Sequence, residues 1–424
     1  MKFKLTPIMM SAIILLSGCA GSDSVVTELT ENVEISLSWW GNDPRHEYTL
    51  EAVERFEDLH PNITVKCNYT EWSGYQTRSN VQMISGTEAD VMQINYAWIE
   101  QYSPDGDGYY DLSTLGDQFD FSNFDEYELE FGMQNGKLNA IPIAMNTQTL
   151  YINKTIYDSY GLAIPKTWED IFDAAKVMKK DEVYPIAMTA KSAFFYITAY
   201  SEQVCEKKFM ELDGTLNFQP EDFRVMIDFY SRLITENVIP QVEYFDRTNI
   251  DSGKYAGSVA WLSDGSSYCD NAIKNGYEFE IADYPAGEGA KSGDSWYAKP
   301  ATMYAISKNT SHPEEAAMLL DFLLNSDEMA DLQGVEKGIP LSSSARQYLL
   351  ENDKLTGMQY EAFKKMEEYD ELPVLSPYYE NDALINEFRD SCNKVLYDKS
   401  DADVEAQALY EIFVEALSGT KAED

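Results

Sequence analysis

Two short runs concentrate side chains suited to holding a small polar molecule: Trp40-Gly41-Asn42 and Asn95-Tyr96-Ala97-Trp98. An indole offers a flat apolar face with one N–H at its edge, and an amide offers both donor and acceptor. Just beyond the first run come Arg45 and His46. A guanidinium there could take a carboxylate in bidentate fashion. Alternatively, Arg45 ties the loop to its own domain and His46 caps or packs. Catalysis has less to stand on. The chain has 3 histidines; His60 precedes a proline at a helix end, and His312 precedes Pro313-Glu314 at a helix start. No nucleophile elbow, HExxH or phosphate-binding loop occurs. A glycosidase needs two carboxylates about 5–9 Å apart, and among 73 acidic residues no pair stands out. Asp105-x-Asp107-Gly108 lacks the later ligands and closing glutamate of a calcium loop, so it reads as a turn. No metal and no cofactor are expected. A surface adhesion module would show repeats, and none is seen.

The elements that must position these residues follow from periodicity. Val33 to Trp39 alternates with period two, as a strand does, and Trp40-Gly41-Asn42-Asp43-Pro44 breaks it. Arg45 to His60 reads as a helix with Leu50, Val53, Phe56 and Leu59 near one face, stopped by Pro61-Asn62. Ile63 to Tyr69 is a second strand, about Gly74 to Ser85 a second helix, and Ala89 to Asn95 a third strand. Strands alternating with helices predict βαβ units and a parallel sheet. In such sheets ligands bind at loops beyond the strands' carboxyl ends, which is where Trp40, Asn42, Asn95 and Trp98 fall.

The amino terminus speaks to location. Lys2 and Lys4 precede an apolar run, Ile8 to Leu15, that ends in Leu16-Ser17-Gly18-Cys19. It is too short to span a bilayer as a mature helix and reads as an export signal. Small residues directly before a cysteine resemble the lipobox of bacterial lipoproteins. The resemblance implies a signal peptide over 1–18, cleavage before Cys19 and acylation of its thiol and new amino group, with 19–32 as a tether. The chain would then be held on the outer face of a membrane, on its extracellular or periplasmic side. No second long apolar run exists, so the mature protein is expected to be soluble apart from this anchor. The formal net charge of −41 argues against nucleic acid, whose phosphates need cationic partners, and against anionic lipid headgroups. Cys67, Cys205, Cys269 and Cys392 form no CxxC pair, and no zinc site is readable. Buried free thiols are expected.

Beyond these features the chain resembles a known family. The run is a strand ending in Trp39-Trp40-Gly41, a helix, His60-Pro61-Asn62-Ile63-Thr64-Val65, Trp72-x-x-Tyr75, then Ser85-Gly86-Thr87-Glu88-Ala89-Asp90-Val91. Asn139 to Ala144, Leu150 to Lys154, Pro165 to Asp170, Ala305 to Ala317 and Gly338-Ile339-Pro340-Leu341 continue it. This is similar to the family 1 extracellular solute-binding proteins of carbohydrate ABC importers, the group that includes maltose-binding proteins. Asp105 to Leu112, Gly136 to Asn139 and Ser376-Pro377-Tyr378-Tyr379, with the Arg45-His46-Glu47 run, look most like the branch of oligogalacturonide-binding proteins.

The resemblance implies an α/β, two-lobed periplasmic-binding-protein-like fold of the maltose-binding-protein type, with a hinge between lobes. One lobe would hold 33–143 with 301–338, the other 147–299 with 342–424, and crossings would fall near 144–146, 300 and 339–341. Closure would bury an oligosaccharide in the cleft and present a surface to the permease subunits of an ABC transporter, which work with a separate ATPase. The protein is expected to be a monomer and not an enzyme. Sugars carry C–H faces that pack on rings and hydroxyls that need paired donors and acceptors. In the first lobe the candidates are Trp40, Asn42, Trp72, Tyr75, Asn95 and Trp98, with Arg45 and His46 for a carboxylate. Asn146 occupies the crossing position where maltose-binding relatives carry a cleft carboxylate, and an amide there would not repel an acidic sugar. In the second lobe Lys191 follows a strand and could meet a carboxylate or simply be solvated. Trp261, Ser263 and Asp264 form a cleft loop, Trp296 and Tyr297 (with Lys299) precede the crossing back, and Tyr378 and Tyr379 sit where relatives often offer a stacking ring. Acidic oligogalacturonides are the branch's ligand; neutral xylo-, manno- or malto-oligosaccharides are the alternative, and a lipid-anchored glycoside hydrolase is a third reading.

Overall fold

The structure, a computed structural model, describes residues 32–369 and 372–420. The expected signal peptide, Cys19 and nearly all of the tether lie outside the described residues.

Strand β1 (Val33–Trp40) buries Ile35, Leu37 and Trp39 on one face. Helix α1 (Asp43–Leu59) begins where the Asn42 side chain accepts from the Arg45 N–H at 3.1 Å, with Pro44 in its first turn. Its buried stripe is Thr49, Ala52, Val53 and Phe56, and Pro61 prevents continuation. Strand β2 (Ile63–Thr70) then lies parallel to β1 in unbroken register from Val33–Ile63 to Trp40–Thr70. Helix α2 (Trp72–Ser85) is capped by the Glu71 carboxylate, which takes the Ser73 and Gly74 N–H groups, and it ends at left-handed Gly86. Strand β3 (Val91–Ile94) is parallel to β1 and leads into the short helix α3 (Ala97–Tyr102).

A small hairpin, β4 (Met133–Gln134) and β5 (Lys137–Leu138), precedes β6 (Ile141–Asn153), every residue of which is buried. β7 (Ala187–Met188), β8 (Gly257–Trp261), β9 (Phe279–Ile281) and β10 (Ala298–Ile306) complete an eight-stranded sheet of order β2-β1-β3-β10-β6-β8-β7, with β9 on β6. The sheet is parallel only in part. β10 runs antiparallel to both β3 and β6, and β6 antiparallel to β8 and β9. The reason is that β6 and β10 are long traverses in opposite directions. β6 pairs with β10 through Thr147 and from Gln148 onward with β8, so one strand serves two half-sheets. β10 bulges between Pro300 and Thr302, and Pro340 bridges Ala144. Helix α1 and the helix Pro313–Asn325 pack on the first half-sheet. The helices Ala190–Cys205, Pro220–Thr235, Asp382–Leu396 and Ala402–Thr420 pack around the second half. Among the described residues no helix is long and apolar enough to cross a membrane.

Candidate functional site

The carboxyl ends of β1 and β3 and the start of α2 bring four of the expected residues into one aromatic cluster. The Trp40 ring lies 4.9 Å from Trp72, 5.3 Å from Tyr75 and 6.4 Å from Trp98, centroid to centroid. Trp98 is stacked on Tyr75 and on Trp72, at 5.9 Å in both cases. The cluster has a front and a back. Trp72 is 37 % exposed and Trp40 half-buried, whereas Tyr75 and Trp98 are buried beneath them. Tyr75 is pinned by its hydroxyl, which donates to the Gln93 carbonyl at 2.7 Å and lies 3.0 Å from Ser38 Oγ. Burial pushes its pKa up to about 12, so it remains a neutral donor. The amides beside the cluster serve the backbone: Asn95 Oδ1 accepts from Ala97 N–H at 3.0 Å, as Asn42 does from Arg45.

Of the residues expected to meet a carboxylate, Arg45 and Lys191 are ion-paired within the protein, and His46 is packed against a ring with its Nδ1 buried without a partner. Arg45 donates from Nε to Glu336 Oε1 at 3.3 Å and from Nη2 to the Glu336 carbonyl at 2.9 Å. His46 packs on Tyr69 at 4.6 Å and edge-on to Trp39 at 6.2 Å. Lys191 forms an ion pair with Asp382 at 2.9 Å.

A second group gathers where β6, β8 and β10 meet. Asn146 and Ser263 bond reciprocally: Asn146 Nδ2 donates to Ser263 Oγ at 3.0 Å, and Ser263 N–H donates to Asn146 Oδ1 at 3.2 Å. Lys299 is the ladder partner of Asn146, and its Nζ stands 4.8 Å from the Trp261 ring centroid while pairing with Glu380. Asp264 is half-buried, and burial raises its pKa.

The remaining candidates lie behind this group. Tyr297 and Tyr379 both donate to the carboxylate of Glu202, at 2.9 Å in each case to its nearest oxygen. The Phe209 N–H donates to the same carboxylate at 2.6 Å, and burial raises its pKa. Trp296 is buried and stacked on Tyr284 at 4.3 Å, and the Tyr378 ring lies against Gly214. Between them Gln148, Phe195, Thr198, Trp261, Trp296 and Tyr379 enclose a cavity of about 20 Å³. The Gln148 amide and the Trp296 indole N–H are buried without partners. That space fits one water, and its lining calls for a group that both donates and accepts.

The two groups are linked through β10: Gln93 Nε2, beneath Tyr75, donates to Thr302 Oγ1 at 3.0 Å, three positions beyond Lys299. Glu380 and Glu202 are not among the residues expected from the sequence. The available signal was a charge beside Tyr378-Tyr379 and a glutamate inside the otherwise apolar face of the helix Ala190–Cys205. The four described cysteines are free, with Cys269 and Cys392 buried and Cys67 and Cys205 half-buried. Among the described residues no cluster could hold a metal ion.

A family model for bacterial extracellular solute-binding proteins matches residues 42–330. A periplasmic oligogalacturonide-binding protein from Yersinia enterocolitica, solved with saturated digalacturonic acid, is 32% identical with a TM-score of 0.76, covering 91% of this chain and 99% of its own. A de novo designed cysteine esterase is likewise 32% identical, with a TM-score of 0.84 over 91% of this chain and 99% of its own. The multiple sugar-binding protein of Streptococcus mutans is 21% identical over 342 residues, 78% of this chain and 79% of its own.

Proposed function

The chain belongs to the bacterial extracellular solute-binding proteins, and we propose that it serves a carbohydrate ABC importer. It captures an oligosaccharide between two lobes and delivers it to the membrane permease subunits, whose separate ATPase drives uptake. The observation that carries this reading is the aromatic cluster: Trp40 at the end of β1 and Trp72 at the start of α2 present rings, and Tyr75 and Trp98 hold them there. Such a surface packs on sugar C–H faces, and the Asn146–Ser263 pair offers polar groups to hydroxyls. The ligand we favour is an acidic oligosaccharide of galacturonate, by likeness to the Yersinia protein. The engagement of Arg45 and Lys191 with Glu336 and Asp382 favours the second reading, a neutral xylo-, manno- or malto-oligosaccharide.

In this reading the lobes are 33–143 with 301–338 and 147–299 with 342–424, hinged where β6 and β10 cross, and ligand closes them. Cys19 carries the lipid that holds the protein outside the cell membrane. Likeness to a designed cysteine esterase does not supply a nucleophile here. Burial pushes Cys67 up to about 11 and Cys205 up to about 12, and it raises Cys269 and Cys392 as well. A reactive thiol needs the opposite shift.

The test is calorimetry on the full chain in detergent, against di- to tetra-galacturonides and neutral xylo-, manno- and malto-oligosaccharides, with solution scattering on the same samples. Stoichiometric binding of galacturonides without cleavage, and a smaller radius of gyration on binding, is the expected result. Binding of a neutral series alone would discard the acidic ligand. Silence across the panel, or cleavage products, would overturn the receptor reading.

A further inference from the structure

We propose that Lys299 is the group that recognises a ligand carboxylate, and that Glu380 is an internal stand-in for that carboxylate, displaced when an acidic oligosaccharide binds. The proposal rests on the receptor reading above and identifies the residue pair that sets its specificity.

Arg45 is held by Glu336 through two nitrogens, and His46 lies against Tyr69 at 4.6 Å with its Nδ1 buried away from solvent. Lys191 pairs with an aspartate whose side chain is 76% exposed, so that pair stands in solvent. Lys299 is differently placed. Its side chain is 15% exposed and that of Glu380 is 29% exposed. Its Nζ lies over the Trp261 ring, and its ladder neighbour is Asn146. A uronic acid presents, on one ring, a C–H face, hydroxyls and a carboxylate. Trp261, the Asn146–Ser263 pair and Lys299 match these three demands in turn.

The placement of Glu380 supplies the switch. Lys299 rises from β10 between buried Ala298 and Pro300, a rigid support. Glu380 ends a single turn, Pro377–Glu380, and the next residue, Asn381, caps the helix Asp382–Leu396. The carboxylate can therefore swing outward without unmaking either element. An incoming uronate carboxylate then replaces one anion by another on the same ammonium. A neutral sugar gains nothing from that exchange and must fit beside the intact pair. This is discrimination by what the wrong ligand leaves unsatisfied. It also explains how a chain of net charge −41 can hold an anion: the site's own negative charge leaves as the ligand's arrives, and distant charges are screened beyond ~8 Å at physiological salt.

The experiment is calorimetry with digalacturonate and its fully methyl-esterified form, on the full chain in detergent and on its Lys299→Met, Lys299→Arg and Glu380→Gln variants. Lys299→Met should weaken digalacturonate about 30-fold, the scale of one charge-assisted contact, and leave the ester within about threefold. Lys299→Arg should restore part of the loss. Glu380→Gln, which frees the ammonium, should tighten digalacturonate by about tenfold; misfolding cannot produce a gain. The role of Lys299 is overturned if Lys299→Met binds digalacturonate as wild type does, or loses acid and ester equally. It is overturned for Glu380 if Glu380→Gln weakens the acid. Wild-type protein that binds neither sugar would remove the galacturonate reading itself and this inference with it.

Discussion

Lys337 has an ammonium enclosed by protein, with 4 % of the residue exposed. Its Nζ donates to the Tyr304 hydroxyl at 2.8 Å and lies 5.9 Å from the Tyr48 ring centroid. Burial, with the nearby charge of Arg45 adding to it, lowers its pKa to about 7. The unfolded value is near ~10.4, so between roughly pH 7 and pH 10 the unfolded chain binds more protons than the folded one. In that window this group makes stability rise with pH, and below it the destabilisation is present in full. Lys337→Met should therefore melt higher than wild type at pH 6–7, with the gap narrowing toward pH 9.5. Parallel melting curves across that range would refute a buried, depressed lysine. Single residues were legible here by type but not by partner. Arg45 reads equally as a ligand contact or a tie, and what decides it is Glu336, which lies 291 positions away.

At the scale of elements, local chemistry explains most of what holds the aromatic cluster. Asn42 was a candidate contact and stands as the cap of α1. Asn42→Ala should cost about 1 kcal/mol of stability, seen as a lower urea midpoint, and change ligand affinity less than threefold. An affinity loss beyond tenfold at unchanged stability would instead make Asn42 a direct contact. The strands and helices from Val33 to Ile94 follow from periodicity and stop signals, within a few residues at each end. β6 is another matter. All of its residues are buried, so alternation vanishes, and nothing local says that it changes partner after Thr147. The antiparallel traverse of β10 is equally non-local, which is why a parallel sheet was expected and a mixed one forms.

For the whole molecule, the chain's charge and its amino terminus belong together. A formal net charge of −41 is repelled by anionic headgroups, so in the proposed reading retention at a membrane rests on acylation of Cys19. Cys19→Ala should move the protein from the membrane fraction to the soluble one, with metabolic palmitate label lost. Retention and label unchanged would exclude Cys19 as the anchor. What the sequence determined by itself was the family, the α/β class and the strand-end loops that carry rings and amides. These depend on residue type, period and order along the chain, which are all local or collinear. Tertiary structure alone decided which rings stand in front and which behind, and which cations are already spent. It also brought Lys299 over Trp261 beside Glu380, a contact spanning 81 positions between the latter pair. The physical reason is that a charge finds its partner in three dimensions, and the spacing of residues along a chain carries no record of which distant carboxylate folding will set beside a given ammonium.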